Sequence, residues 1–372
     1  MNKPVVAYFI SLDSIHCKKW VRHLSKSNES IIITYEEMNV GENELQGIMI
    51  YNLFPKTFPV KNFIARWLTI NKIRKVLKQH KVTLIHSMYC YPNSVWANYF
   101  KRYKKIITTR GSDVLLDYKA IQNTDNKSLL YLRHKLEQAF RDASFITSTS
   151  KQQREYLIKQ NVAANKTSVI RTGIEPEHFS IKTTKHTDDV FRILSPRSVQ
   201  PNYSVHNMLL ALKHILKIKP GIKIRFDQVM FNANPDYLKL IYRSIDELEL
   251  KDHVNFIPPY DLSSVSDIYA QYDLAIMVPK SDGTPVSALE VMINKKPLLI
   301  SKLPYDTDVI NEDLCWMVDQ SKPEEIAEGI LNIMNADQQE LNKKLDLAYN
   351  NVLQNLNTHN EMKKVLELYN AV

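Results

Sequence analysis

Two carboxylates near the end of the chain have a spacing suited to binding chemistry. Asp282 and Glu290 lie eight positions apart in the segment SDGTPVSALEVMINKKPLLIS, residues 281 to 301. Between them, Thr284 is a good N-cap residue. Pro285 is a good first helical residue, because the N–H that proline lacks would have no partner within the helix at that position. The segment therefore predicts a helix that starts between the two acids.

The start of this helix has the features of an anion site. The first N–H groups of a helix have no internal partner, and the positive end of the helix dipole lies beside them. Gly283 has no side chain, so an anion can approach its backbone closely. The helix is predicted to end at Ile293, which places Glu290 in its second turn, within reach of an extended ligand such as a nucleoside diphosphate. An ordinary surface helix with two solvated acids is the alternative.

Short apolar runs alternate with longer amphipathic segments along the chain, which is typical of parallel β-sheets covered by helices on both faces. In the first half the predicted strands are VVAYFI (5–10), IIITY (31–35), GIMIYNL (47–53), TLIHSM (83–88), KIITTR (105–110), SFITST (144–149) and SVIRT (168–172). In the second half they are VFRILSP (190–196), IKIRF (222–226), VNFIPP (254–259), LAIMVP (274–279) and PLLIS (297–301).

The alternation breaks in a polar stretch around residues 172–189, so the sequence predicts two sheet domains. We expect an N-terminal domain over 1–180, a C-terminal domain over 186–354, and a helix over 355–372 that packs back toward the first domain. In open α/β sheets, ligands bind beyond the carboxyl ends of the strands. The segment with the two acids directly follows the strand LAIMVP, which favours a binding site over an ordinary surface helix.

Composition bounds the class of protein. The chain has 372 residues, of which 44% are hydrophobic, enough for two cores. It has no apolar run near the roughly 18 to 20 residues that span a bilayer, and its start, MNKPVVAYFISLDS, is too soon polar for a signal peptide. We therefore expect a cytoplasmic protein.

The chain has three cysteines, Cys17, Cys90 and Cys315. Their odd number and the lack of C-x-x-C spacing indicate buried thiols rather than disulfides or a zinc site.

The positive charge is concentrated in the first half of the chain. Residues 1–175 hold 28 lysines and arginines against 13 acids, whereas residues 176–372 hold 21 against 27. Residues 45–112 contain 13 basic residues and no acid. Such a surface attracts phosphates, of nucleic acid or of anionic lipid headgroups.

Several segments together resemble one enzyme family. The segment YDLAIMVPKSDGTPVSALEVMINKKPLLIS resembles the C-terminal motif of the retaining GT-B glycosyltransferases of family 4, an acid and a glutamate separated by seven residues. SIHCKKWVRHLSKSNESIIITY, LIHSMYCYPNSVWANYF, IITTRGSDVL and AFRDASFITSTSKQQREYLIKQ resemble segments of their first domain, in the same order. The resemblance spans nearly the whole chain. It implies an α/β GT-B architecture, with two Rossmann-like parallel-sheet domains facing across a cleft.

The resemblance also implies roles for the residues around the two acids. Glu290 matches the glutamate that holds the ribose hydroxyls of the nucleotide sugar, and Asp282 matches the acid beside the donor sugar. Backbone groups of Gly283, Thr284, Pro285 and Val286 would face the diphosphate. Arg197, in SPRSVQPNYS, matches the arginine on the pyrophosphate, whereas the family's lysine position falls on Asn202.

The first domain departs from the family pattern at two places. Arg110 stands where the family has a histidine before a Gly-x-Asp segment, and SLDSIH replaces a glycine-rich loop. We expect Arg110 either to act in the cleft or to form an ion pair with Asp113. Asp113 itself either caps the following segment or contacts substrate, and His16 either caps a helix or contacts substrate.

Two further features have structural alternatives. Asp306 and Asp308 imitate a D-x-D metal motif, but a turn after a strand favours such residues, so we predict no metal ligands here. The stretch ARWLTINKIRKVLKQHK (65–81) predicts an amphipathic helix with apolar residues at Trp67, Leu68, Ile70, Ile73, Val76 and Leu77. It is either a plain surface helix or one that docks on an anionic membrane. The docking residues would be Arg66, Lys72, Arg74, Lys75, Lys78 and Lys81.

These observations predict a glycosyltransferase of the hexosyl or N-acetylhexosaminyl class. It would act with retention and without a metal or other cofactor, on a UDP- or GDP-linked co-substrate. The acceptor would be a lipid-linked glycan or polysaccharide of surface glycan biosynthesis, reached at the inner face of the membrane. The alternatives are an inactive scaffold of the same fold and a nucleic-acid-binding protein. No RNA-binding or helix-turn-helix pattern is visible, so we expect no nucleic-acid partner.

Overall fold

The computed structural model describes residues 3–36, 45–184 and 186–372, and the chain divides into two compact units. The first unit extends to Thr172 and includes Thr358–Val372, and the second is Gly173–Asn357. The sequence placed the first boundary at residue 180. In the structure, the N–H of Ile174 instead donates to the carbonyl of Leu356 at 2.9 Å, which ties the connecting segment to the second unit.

The first unit contains a seven-stranded parallel sheet in the order β3-β2-β1-β4-β5-β6-β7. Its strands are β1 (Val5–Phe9), β2 (Glu29–Thr34), β3 (Met49–Asn52), β4 (Leu84–Met88), β5 (Lys104–Thr109), β6 (Phe145–Ser148) and β7 (Thr167–Val169). Its helices are α1 (Ile15–Leu24), α2 (Phe63–Gln79), α3 (Val95–Ala97), α4 (Lys127–Asp142) and α5 (Lys151–Lys159). Each strand predicted in this half of the chain is present.

The second unit contains a six-stranded parallel sheet in the order β10-β9-β8-β11-β12-β13. Its strands are β8 (Phe191–Ser195), β9 (Ile224–Val229), β10 (Val254–Ile257), β11 (Leu274–Met277), β12 (Leu298–Ser301) and β13 (Trp316–Val318). Its helices are α6 (Val205–Ile218), α7 (Pro235–Glu247), α8 (Val265–Ala270), α9 (Val286–Ile293), α10 (Pro323–Met334) and α11 (Gln338–Asn355). Strand β13 was not predicted.

Both sheets are Rossmann-like, with strands buried on both faces. All five residues of β4 and all four of β11 and of β12 are buried, which explains their continuous apolar runs. Alternate residues of β1 enter different cores, because successive side chains of a strand point to opposite faces. Phe9 packs with Phe54 and Phe100, whereas Tyr8 packs on the side of Trp20. The predicted fold class of two parallel-sheet domains is confirmed.

The last helix, α12 (Thr358–Ala371), completes the core of the first unit. The hydroxyl of Tyr369 lies 2.5 Å from Nδ1 of His86 and 3.3 Å from the hydroxyl of Tyr8. Nε2 of His86 lies 2.7 Å from the hydroxyl of Thr108 on β5. Burial, together with the positive charge of Arg110, lowers the pKa of His86 to about 3.

The buried histidine predicts a pH-dependent stability. Because His86 is neutral in the folded state and gains a proton in the unfolded state below pH 6.5, its contribution is complete above that pH and is lost toward pH 3. The slope is about 1.4 kcal/mol per pH unit, so this group should remove about 2 kcal/mol between pH 7 and pH 5. Denaturant unfolding of the wild type and of His86→Gln at both pH values measures it.

The variant His134→Gln is the matched control, since His134 is exposed on α4. The His86→Gln protein should lose less stability than the control between the two pH values. An equal loss in both variants would contradict the assignment.

Candidate functional site

An ion pair joins the loops that follow two neighbouring strands of the second sheet. Strand β8 pairs with β11, so the carboxyl ends of the two strands are adjacent. Arg197 follows β8 and Asp282 follows β11, and Nη2 of Arg197 lies 2.9 Å from Oδ2 of Asp282. The two side chains are only 16% and 17% exposed, so solvent screens the pair weakly. The structure thus brings together two of the predicted site residues.

The guanidinium of Arg197 is fixed from several sides. Nη1 donates to the hydroxyl of Ser287 at 2.9 Å, and Nη2 donates to the hydroxyl of Tyr203 at 2.7 Å. The guanidinium carbon also lies 4.3 Å from the centre of the Tyr203 ring. Burial lowers the pKa of Arg197, but the Asp282 carboxylate and the Tyr203 hydroxyl outweigh this effect, and the net pKa is raised above its usual value. The side chain is a rigid, permanent cation.

Both oxygens of Asp282 are occupied. Oδ2 accepts from Arg197, and Oδ1 accepts from the N–H of Gly283 at 2.8 Å. The carboxylate therefore orients the arginine and shapes the loop at the same time. The N–H of Gly283, which the sequence assigned to the diphosphate, donates here to Asp282.

Helix α9 begins one residue later than predicted. Pro285, not Thr284, occupies the N-cap position, with φ −70° and ψ 115°, and no side chain caps this end. The fixed φ of proline suits an extended N-cap residue as well as a first helical residue, which explains the shift. Val286 and Ser287 thus provide the first N–H groups of the helix, which have no partner within it. The end at Ile293 agrees with the prediction.

Glu290 lies one helical turn beyond Val286 and is half-buried. Its negative charge acts on two tyrosines. Burial raises the pKa of Tyr260, and the Glu290 carboxylate raises it further; burial, Tyr260 and Glu290 raise the pKa of Tyr269. Glu290 therefore lies beside an aromatic pair at the side of α9.

Asn202 connects the two loops through main-chain contacts. Its carbonyl accepts from the N–H of Lys280 at 2.7 Å, and its Nδ2 donates to the carbonyl of Ser281 at 2.9 Å. The residue thus fixes the loop after β8 against the loop after β11. Its side-chain amide already donates to the carbonyl of Ser281.

The sequence did not single out Tyr203, Ser287 or Tyr260. Tyr203 follows Arg197 by six residues in the same loop, and Tyr260 follows β10 at the same edge of the sheet. For the two tyrosines, their place in the loops that follow β8 and β10 was the available signal.

In the first unit, Arg110 lies over an aromatic ring. Its guanidinium carbon is 4.2 Å from the centre of the Trp20 ring, Nη1 donates to the hydroxyl of Thr172 at 3.2 Å, and Nη2 lies 3.2 Å from Sδ of Met88. Arg110 and Asp113 do not form the ion pair that the sequence offered as one alternative. The Asp113 carboxylate instead accepts the main-chain N–H of Arg110 at 2.9 Å.

Asp113 organises the loops after β4 and β5. Besides Arg110, it accepts the N–H of Gly111 and, on its other oxygen, the N–H of Cys90, each at 2.9 Å. Burial raises the pKa of Asp113 above its usual value, although these hydrogen bonds oppose the shift. Gly111 has φ 126°, a conformation that side chains disfavour. Asp113 thus clamps the preceding loop and does not cap the following segment.

His16 is the second residue of α1 and does not cap it. The cap is Ser14, whose hydroxyl accepts from the N–H of Cys17 at 3.3 Å. Burial raises the pKa of the Cys17 thiol, and the charge of nearby Arg110 opposes this shift. The start of α1 and the Arg110 loop are therefore neighbours within the first unit. Cys17, Cys90 and Cys315 are all buried and unpaired, as expected.

The D-x-D residues differ in exposure. Asp306 is buried and its carbonyl accepts the N–H groups of Val309 and Ile310, whereas Asp308 is exposed. The carbonyl bonds are those of a turn, in line with the structural interpretation.

Helix α2 has an exposed surface of mixed character. Ile73, Val76 and Leu77 are buried, but Trp67 and Leu68 are 56% and 48% exposed, so the predicted apolar face is divided. We call the large exposed apolar residues at the start of the helix the α2 apolar patch: Phe63, Ile64, Trp67 and Leu68. The exposed basic residues that follow are Lys72, Arg74, Lys75, Lys78 and Lys81.

Arg66 does not belong with these exposed cations. Its guanidinium donates to the carbonyls of Pro59 and Val60 and lies near the rings of Phe58 and Tyr131. Its charge is thereby used to hold the segment before α2. None of the helices built by the described residues combines the length and apolarity needed to cross a bilayer.

Comparison with known proteins gives consistent matches. The family model described as glycosyl transferases group 1 matches residues 177–351, and the model described as Glycosyltransferase Family 4 matches residues 14–178. A curated relative, the O-antigen chain mannosyltransferase RfbU of Salmonella typhimurium, is 20% identical over 189 residues. That match covers 50% of each chain, so this chain spans about half the length of the relative.

Solved structures extend the likeness to the whole fold. A glycosyltransferase from Rickettsia africae superposes with a TM-score of 0.79 at 16% identity, covering 99% of this chain and 98% of that chain. Anabaena HepE, solved with UDP and glucose, superposes with a TM-score of 0.77 at 15% identity, covering 99% of this chain and 100% of that chain.

The two Rossmann-like sheets and their structural neighbours define the GT-B fold, and the two family models define a glycosyltransferase. The chain belongs to the family 4 glycosyltransferases, since the two models together match residues 14–351.

Proposed function

We propose that the chain transfers a hexosyl or N-acetylhexosaminyl group from a UDP- or GDP-linked donor to a lipid-linked glycan or polysaccharide, with retention of configuration and without a metal. The observation that carries the proposal is the Arg197–Asp282 pair beside the start of α9, with Glu290 one turn along the same helix. A diphosphate at the helix start and a ribose at Glu290 fit this spacing.

The leaving group explains why the arginine is held so rigidly. As the bond between sugar and diphosphate breaks, negative charge grows on the diphosphate. A cation that is already oriented stabilises this charge without reorganising. Arg197 is oriented by Asp282, Ser287 and Tyr203, and the N–H groups of the α9 start add positive potential.

The occupied carboxylate of Asp282 favours a front-face route to retention. Both of its oxygens already accept hydrogen bonds, so it is poorly placed to attack the sugar as a nucleophile. In the front-face route the acceptor oxygen bonds to the sugar on the side from which the diphosphate departs. The departing phosphate oxygen takes the proton of the acceptor hydroxyl.

The relatives support the proposed substrates. HepE was solved with UDP and glucose, which supports a nucleotide-sugar donor. RfbU is described as acting on the O-antigen chain, which supports a role in surface glycan synthesis.

Donor binding should depend on Glu290. Glu290→Ala should weaken binding of UDP or GDP at least tenfold, because a charge-assisted hydrogen bond to the ribose is worth about 1.5 to 3 kcal/mol. Isothermal calorimetry with both nucleotides measures the loss. Glu328→Ala, on the exposed face of α10, is the matched control and should bind as the wild type does. Equal affinity of the Glu290 variant and the control would refute the assignment.

Turnover should depend on Arg197 more than donor affinity does. Arg197→Ala should lower kcat by about 100-fold or more while the donor KM changes less, because the contact strengthens as charge develops. Steady-state kinetics with the nucleotide sugar that the wild type consumes tests this split. Arg243→Ala, an exposed arginine of α7, is the control. A raised KM with unchanged kcat would make Arg197 a ground-state binder only.

We further propose that the first unit docks on an anionic membrane through α2, where it meets a lipid-linked acceptor. Lys72 and Lys75 lie four and seven positions beyond Leu68, and therefore on the same helix face as part of the α2 apolar patch. Apolar side chains can enter the headgroup region while the lysines contact anionic lipids, each for about 1 kcal/mol.

Membrane binding should therefore have an electrostatic and an apolar part. Replacing Lys72, Arg74, Lys75 and Lys78 by Glu should abolish co-sedimentation with anionic vesicles, and Trp67→Ser should weaken it even at high salt. Lys217, Lys219, Lys239 and Lys251, all exposed in the second unit, give a control with the same change of charge. Equal binding to neutral and anionic vesicles, or no binding to either, would favour a soluble acceptor.

A further inference from the structure

The loop after β11 has an exposed lysine beside the Arg197–Asp282 pair. Lys280 precedes Asp282 by two residues, and its N–H donates to the carbonyl of Asn202 at 2.7 Å. Its backbone is thus fixed against the loop after β8, which also contains Arg197. The long side chain is exposed, and its flexible four-carbon stem lets the ammonium take many positions around this fixed backbone.

The charges in the loops after β8 and β11 favour a second cation beside Arg197 for binding a diphosphate. Segments 197–204 and 279–290, both described in full, contain two basic residues, Arg197 and Lys280, and two acids, Asp282 and Glu290. Because Arg197 is paired with Asp282, much of its field is cancelled in the absence of a ligand. A nucleoside diphosphate carries more than one negative charge, and Asn202 supplies none to oppose it. Lys280 is the cation of these segments that has no carboxylate partner.

We propose that the ammonium of Lys280 binds the diphosphate of the donor and, with Arg197, stabilises it as it leaves. This inference rests on the proposed function. Rigid Arg197 provides a directed contact. Lys280 provides a mobile point charge, which follows the phosphate as the bond to the sugar breaks. The hydrogen bonds between Asn202 and residues 280 and 281 hold the lysine backbone in place for this task.

The test compares nucleotides that differ in phosphate number. Lys280→Ala should weaken binding of UDP or GDP, whichever the wild type prefers, at least fivefold, with a much smaller effect on the corresponding nucleoside. The dependence of the dissociation constant on salt should also become less steep, since one charge contact is lost. With the full donor, kcat should fall along with affinity.

A second variant relocates the charge. Asn202→Lys combined with Lys280→Ala places an ammonium on the residue that contacts the backbone of position 280, and it should restore diphosphate affinity at least in part. Lys302→Ala is the control, because Lys302 follows the adjacent strand β12 and is paired with Glu312 at 2.9 Å. This control should bind and turn over as the wild type does.

The outcomes separate the two proposals. If the wild type binds UDP or GDP but Lys280→Ala retains full affinity and turnover, the role of Lys280 is refuted and the proposed function stands. If Lys280→Ala weakens nucleoside and diphosphate equally, the residue acts on the loop and not on the phosphate, which also refutes it. If the wild type binds neither nucleotide, the proposed function fails and this inference fails with it.

Discussion

The order of strands in each sheet determines where the candidate site residues can meet. In the second sheet, β9 and β11 flank β8 on opposite sides, so the loops after β8 and β11 leave adjacent strand ends in diverging directions. Such a switch point leaves a crevice that the helices do not fill. The ion pair of Arg197 and Asp282 joins these two loops. The first sheet repeats this arrangement, because β2 and β4 flank β1.

Another pair of loops, in the first unit, is also fixed by a carboxylate, but through the main chain. Asp113 gathers N–H groups from the loops after β4 and β5, including that of Arg110. The guanidinium of Arg110 is then free to lie over Trp20. In the second unit an acid holds an arginine by its side chain, whereas here an acid holds it by its backbone. The contact with Asp282 therefore fixes the direction of the Arg197 guanidinium, whereas the contact with Asp113 fixes only the backbone of Arg110.

The sequence was most informative where one physical effect dominates. Buried parallel strands have continuous apolar runs, so strands such as β4 and β11 could be predicted closely. Strand β13 escaped because its three residues depend on pairing with β12, a contact that no local pattern records. The segment from Asp282 to Glu290 was recognised from its spacing, and helix geometry sets where Glu290 lies relative to the start of α9.

The errors arose where several local solutions have similar energies. Proline suits the N-cap and the first helical position alike, so the start of α9 was misplaced by one residue. The periodicity of α2 could not show that its buried residues begin only after Leu68, because burial depends on what packs against the helix. Arg66 looked like another surface cation, yet neighbouring carbonyls and aromatic rings occupy it. For α2 and Arg66, contacts with residues outside the helix decide the outcome.

The position of α12 has a consequence for how the protein is made. The first unit is discontinuous, because Thr358–Val372 completes a core begun by β1. That helix leaves the ribosome only after the whole second unit, Gly173–Asn357, has emerged. Until then, Tyr8 and His86 lack their partner Tyr369, and an apolar face of the first sheet remains uncovered. The first unit therefore stays incomplete while the second unit folds, and during this time its exposed apolar face is prone to aggregation.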